Sequence, residues 1–472
     1  DPFLFKHRGC YYCYSTHRDG VQASTSQDLV RWDYQGFVLQ TAGQANFWAP
    51  AVHYEDGVFY LYYSSAPAGS LDPHDERLRV AVSDSPLGPF TPARVLFDRF
   101  TIDPQLVRSD DGQRYLFYSA NDPCDGALEG TSILVQPMSD PLAPAGKARH
   151  VVIPTLEQEI FERNRFGDGR DWHTIEGATY FTSGRMAYLT YSGNAYTHED
   201  YFVGYATAPL IGAIDELHFT KHPDEYTFSP LIRRSAYVEG TGHNSVIAGP
   251  DLFETWIAYH GRDAGEPLVE GTEQRTLRID RLRIGAGELA TNAPTSTPQI
   301  APAKADYSDA PGQKGLGWRA LSGSFSQSED GLALPPGSLL AAGPLAVGYR
   351  AEFSAKGELG YAFCPARFTD GSYIEVSVSP DGVRASHVTS VGRDLLITAG
   401  APKADLSKWQ LIEIERAGKN VSIRLAGLPL AAFRAPIEPA RLALNAENGI
   451  AQFSGFALTK TKNLSTDRKE PQ

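Results

Sequence analysis

The sequence predicts an all-β chain, a five-bladed β-propeller followed by a β-sandwich. Three observations predict it. One block of residues recurs five times in the first 285 positions. Aromatic runs alternate with glycine-containing turns throughout, drawing on 23 Tyr, 23 Phe and 44 Gly. After a Pro-rich break, a second pattern with a period of two takes over.

Each copy reads as a short inner strand, a Gly-containing turn, an aromatic strand and a third strand. The first runs from Asp1-Pro2-Phe3-Leu4-Phe5 through Gly9 and Tyr11-Tyr12-Cys13-Tyr14 to Val21–Ser26. The second starts at Trp48-Ala49-Pro50, turns at Asp56-Gly57 and continues into Phe59–Ser65 and Leu78–Ser83. The third starts at Thr101-Ile102-Asp103-Pro104, turns at Asp111-Gly112 and continues into Tyr115–Tyr118. The fourth opens on Glu176-Gly177, passes Gly184 and carries Tyr188–Tyr191 and Phe202–Ala206. The fifth opens on His243-Asn244-Ser245, lacks the turn glycine, and carries Thr255–His260 and Leu277–Leu282. Asp1 to Gly9, Ala49 to Gly57 and Glu176 to Gly184 each span 8 positions, and Asp103 to Gly112 spans 9. On that count Asp1, Ala49, Asp103 and Glu176 are equivalent.

A unit of roughly 40–50 residues with three or four strands is the mark of a propeller blade. One blade cannot bury both of its faces, so blades stack radially and their inner strands line a central axis. Residues at equivalent inner-strand positions then converge on one pocket. Two segments exceed the repeat, residues 149–174 and 222–241, and loops of that kind at the pocket end of a scaffold set specificity.

The propeller is assigned to residues 1–285. Asn292–Pro298 and Ala301–Ala305 are rich in Pro, Ala and Thr, which gives a linker or wrapping segment over 286–314. Residues 315–460 form the sandwich, with Tyr373–Val378, Gln410–Arg416 and Val421–Leu425 as its clearest half-exposed antiparallel strands. Residues 461–472 are a charged tail that frays.

At 472 residues the chain holds about two domains. A net charge of -13 argues against nucleic acid or an anionic membrane as partner and suits a neutral polar substrate. No apolar run approaches the roughly 18 residues of a membrane span. The four cysteines, Cys10, Cys13, Cys124 and Cys364, show no paired metal-binding spacing and read as free thiols. That leaves a secreted and a cytoplasmic location equally open.

Asp1, Asp103 and Glu176 converge in the predicted pocket, and carboxyl groups sharing a pocket push their pKa values apart. Cleavage of a glycosidic bond uses that separation: one carboxylate activates water and one protonated carboxyl releases the leaving sugar. A third carboxylate helps keep the acid protonated.

With these residues in place, the first 285 positions resemble glycoside hydrolase family 43, five-bladed propellers acting on arabinose- and xylose-containing polysaccharides. The resemblance rests on Asp1-Pro2, Trp48-Ala49-Pro50, Ile102-Asp103-Pro104 with Asp111-Gly112, Glu176-Gly177 with Tyr188–Ser192, and Gly242–Ser245. It implies Asp1 as general base, Glu176 as general acid and Asp103 as the residue that tunes the acid and orients substrate, with inversion at the anomeric carbon. It also implies that His243 is an axial histidine that supports a calcium or other ion in the channel, with no cofactor required. Arg275 matches an arginine that reaches the substrate. Trp48, Phe47 and Trp172 are candidates for stacking on a sugar face. A free amino group on the base itself would perturb it, so the functional chain is expected to begin upstream of Asp1. The later domain resembles the concanavalin-like sandwiches appended to several family members, on Trp409–Ile414.

The resulting expectation is an inverting exo-glycosidase on terminal pentose residues of oligo- or polysaccharides, with α-L-arabinofuranosidase first and β-xylosidase second. A non-catalytic carbohydrate-binding propeller is the reading from another class. The oligomeric state is left open.

Overall fold

Successive side chains of a strand point to opposite faces of its sheet, and that period of two decides which neighbour each residue can cover. The structure, a computed structural model, describes residues 1–266, 274–309, 317–446 and 448–461. It divides into two compact units.

The first unit comprises Asp1–Lys6, Tyr11–Gly249 and Glu254–Pro302. Its strands form five blades in chain order, each its own sheet except blades 3 and 4, which parallel pairing of Gly130-Thr131 with His173-Thr174 joins into one ten-stranded sheet. Blade 1 holds Pro2–His7, Cys10–Ser15, Val21–Ser26 and Asp33–Leu39, and blade 2 holds Gln44–Glu55, Val58–Pro67, Arg77–Ser83 and Thr91–Val95. Blade 3 is built on Thr101–Arg108, Arg114–Ala120 and Gly130–Asp140, with Arg149–Val152 paired outside them. Blade 4 holds Trp172–Ser183, Met186–Gly193, Phe202–Pro209 and Thr220–Lys221, and blade 5 holds Val238–Ala248, Thr255–Asp263, Thr276–Gly285 and Glu288–Thr291.

The hydrophobic core of this unit is a ring of five inter-blade layers. Tyr14, Val21, Phe47, Leu61 and Tyr63 pack between blades 1 and 2, and Tyr62, Leu78, Leu106, Leu116 and Tyr118 between blades 2 and 3. Phe117, Val135, Ile175 and Leu189 pack between blades 3 and 4, and Tyr188, Val203, Ile257 and Tyr259 between blades 4 and 5. Leu4, Tyr11, Cys13, Leu29, Trp256 and Ala258 close the ring between blades 5 and 1. Adjacent residues of one strand serve different layers: Tyr62 and Tyr63, Leu116 and Phe117, Tyr188 and Leu189. This is why the aromatic runs are continuous rather than alternating with polar residues.

The second unit is built chiefly after Ala303 and is a sandwich of two sheets. One sheet, of eight strands, contains Tyr349–Lys356, Gln410–Ala417, Asn420–Leu425 and Ala451–Lys460; the other, of seven, contains Tyr361–Arg367, Tyr373–Ser379 and Ala440–Ala446. Their facing residues, among them Phe353, Phe363, Ile374, Val376, Ile412, Ile414, Leu444 and Phe453, form one core.

Two boundaries differ from the sequence reading. Glu288–Thr291, placed in the 286–314 linker, is the fourth strand of blade 5, because the turn at Gly285-Ala286-Gly287 folds the chain back onto Thr276–Gly285. Tyr307–Asp309, also in that segment, pairs with the strand Ala451–Lys460 of the sandwich. Residues 310–316 and the tail from 462 lie outside the described residues.

Phe47 is fully buried and stacks on Tyr63 with ring centroids 5.6 Å apart. Phe47→Ala should cost about 3–5 kcal/mol of stability through the cavity it leaves. Chemical denaturation followed by circular dichroism checks this, and a loss below about 1 kcal/mol would remove Phe47 from the core.

Candidate active site

The inner strands of blades 2 to 5 share a break in their ladders. Pairing shifts between Trp48 and Ala51, Ile102 and Gln105, Glu176 and Thr179, and Gly242 and Ser245. The first residue inside each break has positive φ: Ala49 at 44°, Asp103 at 58°, Gly177 at 65° and His243 at 40°. These are β-bulges, which re-aim a side chain. Three of the four are not glycine, and such a conformation costs on the order of 1–3 kcal/mol each. A Cβ on Gly177 would lie 3.1 Å from His243 Nδ1, so glycine makes room for the imidazole.

This register corrects the sequence alignment of the copies. Ala49, Asp103, Gly177 and His243 are equivalent; Glu176 stands one place earlier, with Trp48, Ile102 and Gly242. The reason is that Gly177 takes the positive-φ position in blade 4. Glu176 therefore enters the site from the residue before the bulge, and the carboxyl that shares a bulge position with an imidazole is Asp103.

The three carboxyl groups nonetheless face one cavity of about 1420 Å³, which is also lined by Trp48, Trp172, His243 and Arg275. Asp1 accepts from Thr16 Oγ1 at 2.6 Å and from the Arg275 guanidinium at 2.8 Å. His260 Nε2 and His243 Nδ1 stand 3.6 and 3.7 Å from the same Asp1 oxygen. Burial, aided by Arg275, holds both imidazoles well below their usual range. They are neutral, and Arg275 supplies the positive charge opposite Asp1.

Asp103 Oδ2 lies 4.0 Å from His243 Nδ1 and accepts from the Gly177 amide at 2.9 Å. Glu176 Oε1 accepts from the Tyr201 hydroxyl at 2.8 Å. Burial raises the Glu176 carboxyl to about 7, against the opposing pull of the Tyr201 hydrogen bond and of Arg275. Burial and the charge of Glu176 raise Asp103, against the Gly177 amide. One pocket thus holds a carboxylate paired with a cation and a carboxyl kept protonated up to neutrality, the separation that acid–base work requires.

Phe47 does not reach this cavity, since it points the opposite way from its strand neighbour Trp48 and packs in the core. Of the two long segments, residues 149–174 contribute Phe161, Arg165 and Trp172 to the lining. Among the described residues, none of 222–241 lines it.

Sequence reasoning missed Thr16, Tyr201, His260 and Tyr196, whose ring carries the Arg275 guanidinium at 5.2 Å. It also missed Glu76, which is fully buried, has no partner for either carboxyl oxygen and is raised by burial to about 9. Its charge acts on Asp103. Thr16 directly follows the second strand of blade 1, and His260 lies in the last half of the second strand of blade 5.

For the ion suggested at His243, the donors present do not fit. Among the described residues no group of three or more His, Cys, Asp or Glu side chains is arranged to hold a metal. His243 Nδ1 lies 3.7 Å from the Asp1 carboxyl and 4.0 Å from that of Asp103. No step below runs through a metal.

A propeller thus gathers three carboxyl groups in contrasting surroundings in one cavity. Residues 1–288 match the family described as Glycosyl hydrolases family 43, and the chain belongs to it. Alpha-L-arabinofuranosidase 43 of Humicola insolens is 27% identical over 310 residues, 60% of this chain and 59% of that protein. The extracellular exo-alpha-(1->5)-L-arabinofuranosidase of Streptomyces avermitilis is 26% identical over 303 residues, 59% of this chain and 58% of that protein. The chain thus spans just under three fifths of the length of these curated relatives. A solved thermostable family-43 glycoside hydrolase is 30% identical with a TM-score of 0.54, covering 64% of this chain and 96% of that one. An alpha-L-arabinofuranosidase from Lactobacillus brevis, 18% identical with a TM-score of 0.53 over 63% of this chain and 94% of that one, shares the fold.

Two outcomes follow from the buried carboxyls. Tyr201→Phe removes a hydrogen bond that lowers the Glu176 pKa, so the alkaline limb of the pH–rate profile should move above its position near 7. An unchanged or lowered limb would separate Glu176 from that limb. Glu76 binds its proton more tightly folded than unfolded, so wild-type stability falls as pH rises from about 4.5 towards 9, by about 1.4 kcal/mol per unit. Glu76→Gln should therefore raise Tm at pH 8 and leave it nearly unchanged at pH 4.5; equal shifts at the two pH values would show that ionisation is not involved.

Proposed function

We propose that this chain is an inverting, exo-acting glycoside hydrolase that releases a terminal pentose, α-L-arabinofuranose first. The observation that carries the reading is the contrast between Asp1, paired with Arg275, and Glu176, buried and raised to about 7. The arabinofuranosidase names of the two relatives above support the choice of sugar. A β-xyloside makes the same demands on the three carboxyls and is the second substrate to try.

In this reading Asp1 takes a proton from a water molecule on one face of the sugar. The resulting hydroxide forms a bond to the anomeric carbon as the bond to the leaving oxygen breaks. Glu176 passes its proton to that oxygen, so the leaving sugar departs as a neutral alcohol. The proton gained by Asp1 and the one lost by Glu176 are then exchanged with solvent. Asp103, close to the imidazole of His243 and fixed by the Gly177 amide, is itself raised by burial and by the charge of Glu176, so the two carboxyls do not ionise together, and it orients the substrate beside the acid. Inversion requires a base–acid separation of about 6.5–9.5 Å, with water between them.

Glu176→Gln should lower kcat by roughly 10²–10⁴-fold on an arabinose disaccharide. It should lower it less on nitrophenyl α-L-arabinofuranoside, whose leaving group needs little protonation. Near-wild-type turnover of the disaccharide would sink the assignment of the acid. Proton NMR of the wild-type digest should show the inverted anomer first, and binding without turnover would favour a sugar-binding propeller.

A further inference from the structure

The inner strand of blade 4 presents Trp172, Thr174 and Glu176 to the cavity. Alternate residues of a strand share a face, and four steps at about 3.3 Å put Trp172 roughly 13 Å from the acid along the strand. In the proposed reaction the leaving group lies on the side of Glu176, so this row runs beneath the leaving chain rather than the cleaved sugar.

The row is widened by aromatic and cationic groups from neighbouring segments. The Arg165 guanidinium lies 4.8 Å from the Phe161 ring and 5.3 Å from the Trp172 ring. His74 meets Trp172 edge-on at 6.3 Å and Phe100 at 5.4 Å. All five side chains line the cavity. Flat rings of this kind cover the apolar face of a sugar, and the guanidinium can donate to its hydroxyl groups.

Phe161, Arg165 and Trp172 sit in or end a segment whose root is fixed by a buried ion pair. Lys221 Nζ donates to Glu159 Oε1 at 2.6 Å, and the two side chains are 2% and 0% exposed. The other oxygen of Glu159 accepts from the amides of Thr155 at 2.7 Å and Leu156 at 3.0 Å. Lys221 also donates to Thr155 Oγ1 at 2.9 Å. A buried pair of this type adds little net stability compared with apolar residues of the same size. What it does is fix geometry: it ties the start of the segment to the outer strand of blade 4 and satisfies two amides that no ladder reaches. Neither residue lines the cavity.

We propose that Lys221 and Glu159 are positioning residues for the leaving-group side of the cavity, holding Phe161, Arg165 and Trp172 as a stacking wall for the second and third sugars of an oligosaccharide. The inference rests on the hydrolase reading above. Terminal cleavage requires only the carboxyls, whereas affinity for a longer chain requires the wall in register.

The test compares wild type, Lys221→Met and the apolar double replacement Lys221→Met with Glu159→Met on nitrophenyl α-L-arabinofuranoside and on α-1,5-linked arabinotetraose. Circular dichroism selects the variants that fold, and the double replacement, which leaves no unpaired buried charge, is the one expected to do so if the single change does not. The expected result is a rise in KM for the tetrasaccharide of about tenfold with kcat changed less than threefold, and a smaller change in KM for the nitrophenyl substrate. Equal changes on the two substrates, or a fall in kcat alone, would overturn the proposal. Wild type that turns over neither substrate would overturn the hydrolase reading, and this inference with it.

Discussion

The ladder break at the axis end of four inner strands is the constraint on which the site depends. A regular strand continues the alternation of its side chains between two faces without a change of direction. The bulge interrupts that alternation and turns Asp103 and His243 towards the same space. It does so with positive φ at non-glycine residues, a local cost carried by the packed layers on either side. The only glycine among the four, Gly177, is the position where His243 needs the room. The amide freed by that break is also the one that fixes Asp103.

Electrostatics then follow from unequal solvation rather than from a dense network of charges. Asp1 has a cation and a hydroxyl; Glu176 has a hydroxyl and a dry surrounding; Asp103 has one amide and the repulsion of its neighbour. The imidazoles are kept neutral, so Arg275 is the group that breaks the symmetry. With its ring contact to Tyr196, Arg275 donates a hydrogen bond to Asp1, while it acts on Glu176 through its charge alone and is outweighed there by burial.

Much of the fold was legible in the sequence because propeller blades repeat their chemistry. The aromatic second strands, the glycine turns and the change of pattern after the Pro-rich stretch marked the blades and the second β unit directly. The one-residue offset of Glu176 was not legible, since counting from carboxyl to glycine cannot reveal where a bulge lies. Phe47 was misplaced for a related reason: next to Trp48, it looked like part of one aromatic pair, while strand geometry sends the two in opposite directions. Thr16 and Tyr201 each meet a carboxyl of their own blade from a loop that carries no repeat signal, whereas His260 meets Asp1 only across the seam where the ring closes. Glu76 carried no signal either; one Glu before a strand is ordinary until burial removes its water.

The seam between blades 5 and 1 has a consequence for how the molecule responds to stress. Among the described residues, no strand of one sheet pairs with the other across it; Leu4, Tyr11 and Trp256 pack there, the Tyr11 hydroxyl donates to the Ala248 carbonyl, and the Leu4 amide donates to Ser245 Oγ. Asp1 belongs to one bank of that seam, and Arg275 and His260 to the other. Slight parting of the two banks separates the paired charges while every blade keeps its own ladder. The ring is in this sense a clasp whose catch is the chemistry itself, because the groups that pair with Asp1 stand on the far bank.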